Sequence, residues 1–184
     1  RLAYADAPQL LVPYLLEAGQ LLALQDAPAA AEALYAEAAP LVEEQPRAAV
    51  LLDVARAAAA LRLGEPGRAW SLAHDARVQL EADAEVAPSN LAAARHNEAD
   101  AAIALGRCDD AVPLLRAAIA RYDADAGIGP GAPSTTDARL SLARCDRAAG
   151  RIDAARATLE AVRDQPTANA DHRARAVAEL AALP

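Results

Sequence analysis

Three glycines divide this chain at nearly equal intervals. Gly64, Gly106 and Gly150 stand 42 and then 44 residues apart. Each is followed five residues later by an alanine, nine residues later by alanine or leucine, and twelve residues later by alanine or valine. Such punctuation, recurring at a period of about 40 residues, is typical of stacked helical hairpins. The spacing therefore predicts a repeat protein in which each repeat is a pair of helices.

The composition favours helices throughout. Alanine and leucine dominate, aromatic residues make up 3%, and all eighteen basic residues are arginine. Alanine, leucine, arginine and glutamate are strong helix formers, whereas β-branched and aromatic residues favour strands. We predict an all-α fold, namely a right-handed superhelical solenoid of antiparallel helical hairpins, with about four repeats and a C-terminal capping helix.

Prolines mark the starts of the predicted helices, because proline suits the first turn of a helix and disrupts its interior. These prolines are Pro46, Pro88, Pro133 and Pro166. The predicted helices cover residues 8–25, 28–44, 47–63, 66–84, 89–105, 109–125, 134–149, 151–164 and 167–182. We predict one domain over 1–184, with repeats at 8–44, 47–84, 89–125 and 134–164 and a capping helix at 167–182.

Local signals at two helix starts support this map. Ser134 and Asp137 have the spacing of a capping box. Asp109 and Asp110 place negative charge where the dipole at a helix N-terminus favours it.

Residues 127–133 hold three glycines and two prolines, which predicts a connecting loop. A phosphate-binding loop would need a lysine after its glycines, and this chain has no lysine.

Charge and motif content narrow the classes of partner. The net charge of −8 argues against nucleic acid, whose phosphates need a basic face. The apolar stretch at 10–16 is interrupted by Pro13 and is too short to span a bilayer, so no membrane insertion is predicted. His74, His96 and His172 are widely separated and lie outside metal-binding motifs. Neither a metal nor a cofactor is predicted.

The run LGRCDDAVPLLRAAI at residues 105–119 resembles the second half of a tetratricopeptide repeat. More narrowly, it is similar to the variety with a 42-residue period found in kinesin light chains and many bacterial signalling proteins. Pro113 stands where those repeats often carry a proline in the first turn of the second helix. A similar sequence pattern occurs at 142–155 and, with a looser match, at 63–70. A degenerate first repeat aligns through Gly19, Ala31, Tyr35 and Ala38.

The resemblance implies a groove for partners along the first helix of each hairpin. The groove positions carried over from the family are Leu16, Glu17, Gln20, Val54, Ala58, Arg62, His96, Asn97, Asp100, Ser141, Arg144 and Arg147. His96 and Asp100 are four residues apart and share a helix face. Together with Asn97 they form either a ligand-binding patch or a solvated face. Arg144 and Arg147 are either ligands for a carboxylate or phosphate, or ordinary surface arginines.

Cys108 and Cys145 are predicted to lie close together, with Cα atoms within about 8 Å, because neighbouring antiparallel helices bring their positions together. They are either two buried small side chains or a disulfide, which would imply an oxidising compartment. Trp70 is predicted to pack in the core.

Functionally, the resemblance implies a non-enzymatic scaffold that binds a protein or peptide. The expected context is the repeat region of a larger bacterial signalling or regulatory protein, for example one with a serine/threonine kinase or DNA-binding domain. The alternative is a sensor that closes around a peptide pheromone or small ligand. Self-association stays open. Because the chain starts at Arg1, we expect a fragment or processed form, cytoplasmic unless a membrane anchor lies upstream.

Overall fold

The computed structural model describes residues 8–184 and confirms the all-α prediction, since this part of the chain has nine α-helices and no strand. The helices are α1 (Val12–Leu24), α2 (Pro28–Ala38), α3 (Pro46–Arg62), α4 (Pro66–Ala82), α5 (Pro88–Ala104), α6 (Cys108–Ala124), α7 (Pro133–Ala148), α8 (Ile152–Arg163) and α9 (Ala170–Ala181). Helices α1 and α2, α3 and α4, α5 and α6, and α7 and α8 pack as hairpins. The fold is a solenoid of antiparallel helical hairpins, with α9 after the last one.

The three punctuating glycines end α3, α5 and α7 in one conformation. Gly64, Gly106 and Gly150 have φ between 73° and 76°, the left-handed region that glycine adopts without a Cβ clash. The amide after each glycine donates to the carbonyl five residues earlier. Asp26, with φ of 59°, forms the same turn between α1 and α2. The first hairpin therefore has the repeat turn without the glycine that marks it elsewhere.

Two predicted boundaries were wrong at prolines. Helix α2 ends at Ala38 instead of 44, because Pro40 has no amide to donate and crowds the preceding turn. Residues Ala39–Leu41 continue as a 3-10 turn. Helix α1 begins at Val12 instead of 8, since Pro13 is tolerated only in a first turn, and Pro8–Leu11 form another 3-10 turn.

The predicted capping box at Ser134 was also wrong. Helix α7 begins at Pro133 with Ala132 as its N-cap, and no side chain caps it. Because Pro133 starts the helix, Ser134 already lies inside the first turn. The prediction for α6 is confirmed, since Asp109 and Asp110 lie in its first turn.

The chain forms two compact units, one ending at Ala84 and one running from Glu85 to Pro184. In the first unit, apolar side chains from α1, α2 and α3 form one core, which includes Val12, Leu15, Ala31, Tyr35, Leu52 and Ala59. Gly19 permits the close approach of α1 to α2, because a Cβ there would lie 2.7 Å from Cζ of Tyr35. The prediction of a single domain stays a prediction.

In the second unit, small residues lie at the contacts within each hairpin. Ala111 on α6 and Ala155 on α8 are fully buried. One apolar cluster joins α7, α8 and α9 through Leu140, Ala143, Ala155, Leu159, Val162 and Ala176. The loop before α7 is held by Thr135, whose hydroxyl donates to the carbonyl of Gly129 at 2.7 Å. This packing sets α5 beside α7, and α7 beside α9.

Candidate partner-binding site

The predicted pair on α5 is brought together by one helical turn. Nε2 of His96 lies 3.3 Å from Oδ2 of Asp100, without a hydrogen bond of acceptable geometry. His96 is only 8% exposed, so the alternative of a solvated helix face does not describe it. Its ring meets that of Tyr122 on α6 edge to face, with centroids 6.2 Å apart. Asn97, between the two members of the pair, is half-buried.

Asp100 also connects α5 to the next first helix. Ser141 on α7 donates its hydroxyl to Oδ1 of Asp100 at 2.7 Å, across 41 positions of sequence. Ser141 itself is buried, so it serves the helix–helix contact and is not an open groove position. The carboxylate of Asp100 thus has one oxygen bonded to α7 and the other beside the imidazole.

The same carboxylate influences Tyr122. Burial raises the pKa of the Tyr122 hydroxyl well above its ordinary value, and the nearby negative charge of Asp100 raises it further. Both effects disfavour the phenolate, because it would be poorly solvated and repelled. Tyr122 therefore stays neutral and forms one wall of the polar cluster made by His96, Asp100, Ser141 and Tyr122.

The two predicted arginines on α7 differ from each other. Nε of Arg144 lies 3.3 Å from Oε1 of Glu179 on α9, so this partly exposed guanidinium is already paired within the chain. The pairing arises because α9 packs beside α7 and places a carboxylate within reach. Arg147, at the C-terminal end of α7, is exposed. In the second unit, a line of polar side chains (Asp100, Ser141, Arg144 and Glu179) thus runs from α5 across α7 to α9; we call it the polar line.

The remaining predicted positions lie in the first unit. Val54 and Ala58 on α3 are half-buried, and Arg62 at the end of that helix is exposed. Nη1 of Arg62 lies 3.7 Å from Oδ1 of Asp26, in the turn between α1 and α2. On α1, Leu16 is half-buried, whereas Glu17 and Gln20 are exposed.

A disulfide joins α6 to α7. Cys108 and Cys145 have Cα atoms 5.3 Å apart, and their sulfurs are bonded. Cys145 is fully buried and Cys108 is half-buried beside a surface cleft of about 490 Å³. Trp70 is half-buried, and its ring stacks on His74 with centroids 4.8 Å apart.

Sequence reasoning missed a polar cluster between α7 and α9. Nδ1 of His172 lies 2.8 Å from the hydroxyl of Thr136, and its Nε2 lies 3.2 Å from Oδ1 of Asp137, which also accepts from Arg175 at 2.9 Å. The order hydroxyl, imidazole, carboxylate matches that of a hydrolase triad. However, Thr136 is fully buried and lies within bonding distance of the carbonyls of Ala132 and Pro133. The cluster therefore holds α9 on α7.

A second missed cluster ties three helices of the first unit. Glu32 on α2 accepts from Arg56 on α3 at 2.9 Å and from Arg68 on α4. The hydrogen bonds from Arg68 to Glu65 and then to Glu32 raise the pKa of the Arg68 guanidinium. These contacts join residues 24 and 36 positions apart, and no motif at such spacing signals them.

Along residues 8–184, none of the helices combines the length and apolar character that crossing a bilayer requires. In the same stretch, no three His, Cys, Asp or Glu side chains come together as metal ligands would.

Comparison with known proteins agrees with this architecture. Residues 96–171 match the family model for the tetratricopeptide repeat. No curated protein matches the sequence significantly. Nearly identical TPR-like repeats attributed to a kinesin light chain of Podosopora anserina superpose with a TM-score of 0.71 at 20% identity, over 96% of this chain and 86% of theirs. BtubC (BKLC) from P. vanneervenii superposes with a TM-score of 0.76 at 18% identity, over 99% of this chain and 76% of its own.

At these identities the structural matches establish the fold alone. They agree with the family model, which covers the hairpins from α5 to the start of α9. The predicted resemblance is therefore confirmed: residues 96–171 match the tetratricopeptide repeat model, and the chain has the fold of kinesin-light-chain-like TPR proteins.

Proposed function

We propose that this chain is a non-enzymatic scaffold that binds an extended segment of a partner protein along its first helices. TPR repeat proteins typically mediate protein–protein interaction. The observation that carries the proposal is the polar line on α5, α7 and α9 of the second unit. It presents Asp100, Arg144 and Glu179 on the neighbouring helices α5, α7 and α9, with Arg147 exposed at its end.

Both signs of charge are available on this line, which suits a peptide better than a single small anion. Asp100 presents a carboxylate that is one-third exposed, while Arg147 has an exposed guanidinium. Guanidinium groups bind carboxylates in a bidentate manner. An extended peptide loses conformational entropy on binding, so modest affinity is expected.

The experiment compares two charge reversals of the same kind. Peptides are selected by phage display on the immobilised chain and then titrated against variants by calorimetry. Arg147→Glu, on first helix α7, should weaken acidic peptides by about ten-fold, since an exposed charge pair is replaced by repulsion. Arg116→Glu, exposed on second helix α6, is the matched control and should leave the affinity unchanged. Undiminished binding to Arg147→Glu, or a loss confined to Arg116→Glu, contradicts the proposal.

The wider context is proposed on family resemblance, namely the repeat region of a larger bacterial signalling or regulatory protein. The disulfide favours the extracytoplasmic alternative for its location, because cytosolic thiols are usually kept reduced. Fractionation of the native cells, with alkylation of free thiols before lysis, tests the compartment.

The alternative function is a sensor that closes around its ligand. Such a sensor would become more compact on binding, whereas an open groove would not, and small-angle scattering of the peptide complex separates the two.

A further inference from the structure

The two sulfurs of the disulfide differ in their access to solvent. Cys145 is fully buried, whereas Cys108 is half-buried and lines the surface cleft of about 490 Å³. The other residues around this cleft come from the turn before α6, the start of α6 and the end of α7, namely Gly106, Arg107, Asp109, Asp110, Ala148 and Ala149. A disulfide opens when a thiolate reaches one of its sulfurs. The cleft therefore offers Cys108 for attack and leaves Cys145 out of reach.

This cleft has the size of a small-molecule site. Its volume of about 490 Å³ lies within the range of about 300–1,000 Å³ that is usual for ligand pockets. Ala148 and Ala149, on its α7 side, are exposed, so the cleft opens to solvent. A thiol of low molecular weight can thus approach Cys108 while the hairpins stay folded.

The charges around the cleft select among such thiols. Nε of Arg107 donates to Oδ2 of Asp110 at 2.8 Å, so these two opposite charges compensate each other. Asp109 is exposed in the same lining and leaves it with an excess of negative charge. A negative cleft attracts cations and repels anions, most strongly at low ionic strength. It therefore favours a thiol that carries an ammonium group over one that carries a carboxylate.

We propose that Cys108 is a site of reversible S-thiolation by a low-molecular-weight aminothiol that enters through this cleft. The thiolate of the aminothiol attacks Sγ of Cys108, so a bond forms between these two sulfurs while the bond between Cys108 and Cys145 breaks. The electron pair of the broken bond leaves with Sγ of Cys145, which takes up a proton from water to replace the one that the aminothiol lost. One disulfide is exchanged for another, so the step needs no oxidant or reductant.

The reaction acts as a switch within the second unit. Cys108 and Cys145 are the only cysteines of the chain, so S-thiolation removes the covalent link between α6 and α7. Cys145 is left as a buried thiol next to the mixed disulfide, and it restores the original bond by attacking Sγ of Cys108 when the aminothiol is withdrawn. This inference is independent of the proposed partner-binding function.

The first experiment identifies the sulfur that is attacked. The whole oxidised chain is treated with cysteamine at neutral pH, quenched with acid, and alkylated with N-ethylmaleimide under unfolding conditions. Peptide mapping by mass spectrometry should find cysteamine on Cys108 at least about ten-fold more often than on Cys145, with the maleimide on Cys145. Equal labelling of the two cysteines, or cysteamine mainly on Cys145, would overturn the proposal.

The second experiment tests the route of entry. Ala148→Leu places a larger side chain in the cleft at an exposed position and should slow S-thiolation by at least about three-fold, because the rate depends on access to the sulfur. Ala120→Leu, at an exposed position of α6 away from the cleft lining, is the matched control and should leave the rate unchanged. An unaltered rate in Ala148→Leu would mean that the thiol enters by unfolding of the hairpins, which contradicts the proposal.

The third experiment tests the choice of thiol. The rates of cysteamine and mercaptoacetate are each divided by their rates with a small linear disulfide, which removes the intrinsic reactivity of the two thiols. At low salt the corrected ratio should favour cysteamine by at least about three-fold, and Asp109→Asn should reduce it. Asp171→Asn is the matched control, since Asp171 is likewise exposed in the first turn of a helix, α9, and is not part of the cleft. A ratio near one, or the same ratio in Asp109→Asn as in the wild type, would rule out selection by the cleft charges.

Discussion

At the scale of single residues, environment decides what each polar side chain does. His96 and Asp100 share a helix face because they are one turn apart, yet the imidazole is buried and the carboxylate reaches α7. Helical periodicity gave the shared face, whereas burial depends on Tyr122 and Ser141, which come from other helices. Asp53 shows the same dependence, because burial first, and then the charges of Arg56 on α3 and Asp75 on α4, shift the pKa of its carboxyl.

Replacing Asp53 by asparagine should stabilise the chain at neutral pH. Burial raises the pKa of the Asp53 carboxyl above its ordinary 3.8, Arg56 lowers it, and Asp75 raises it again. A raised folded-state pKa means that the charged form costs stability, and this cost appears as the pH rises through that pKa. Asp53→Asn should therefore raise the free energy of unfolding at pH 7, and with it the melting temperature, by less than about 1 kcal/mol of free energy because the carboxyl is half-buried.

The stabilisation by Asp53→Asn should disappear below the ordinary pKa, where the wild-type carboxyl is protonated in both states. Thermal melts between pH 3 and pH 8 measure it. A gain that is constant across this range would assign the effect to something other than ionisation.

Replacing Ala111 or Ala155 by leucine should destabilise the second unit by about 1–3 kcal/mol. Both alanines are fully buried at contacts within their hairpins, so added methylenes must push helices apart. Ala120→Leu, at an exposed position of α6, is the control and should be nearly neutral. Urea denaturation measures the difference, and equal midpoints for buried and exposed variants would show that these alanines are not at tight contacts.

At the scale of elements, the helix ends are local and the helix contacts are not. Gly106 ends α5 through a left-handed turn, and Pro88 starts it, without help from other helices. In contrast, α9 is held on α7 by His172, Thr136 and Arg144, whose partners are more than thirty positions away. The docking of α9 thus depends on these polar pairs together with the apolar cluster that includes Ala176.

Arg144→Glu should loosen α9. The change replaces the contact with Glu179 by like-charge repulsion, at a cost of up to about 1 kcal/mol for this partly exposed pair. Hydrogen exchange should show faster exchange in α9 while α5 keeps its protection. Arg147→Glu, one turn along the same helix, is the control, and an equal effect from both variants would mean that the Glu179 contact is irrelevant.

At the scale of the whole molecule, stability is distributed over neighbouring hairpins, as in other repeat proteins. The two compact units differ in one covalent respect, because the single disulfide lies within the second. A reductant should therefore change the mobility and the stability of the second unit and leave those of the first unit unaltered.

Removing the disulfide, by reduction or by Cys108→Ser with Cys145→Ala, should destabilise the second unit. The bond closes a loop with a sequence separation of 37 residues, which corresponds to about 4 kcal/mol in the chain-entropy picture. Hydrogen exchange should accelerate in α6 and α7, with α1–α3 as the internal reference. Identical exchange in oxidised and reduced protein would contradict this expectation.

The sequence by itself determined the helices, the hairpin period and the turns, because these depend on interactions within a few residues. Alanine-rich segments favour helix, glycine permits the left-handed turn, and proline fixes helix starts. The two wrong predictions from the sequence, the capping box at Ser134 and the continuation of α2 past Pro40, were also local. In each case a proline outweighed a weaker helical signal. The tertiary structure alone decided which polar groups are buried and which are paired. Ser141 with Asp100, Arg144 with Glu179 and Thr136 with His172 meet because packed helices bring together positions 35 to 41 residues apart.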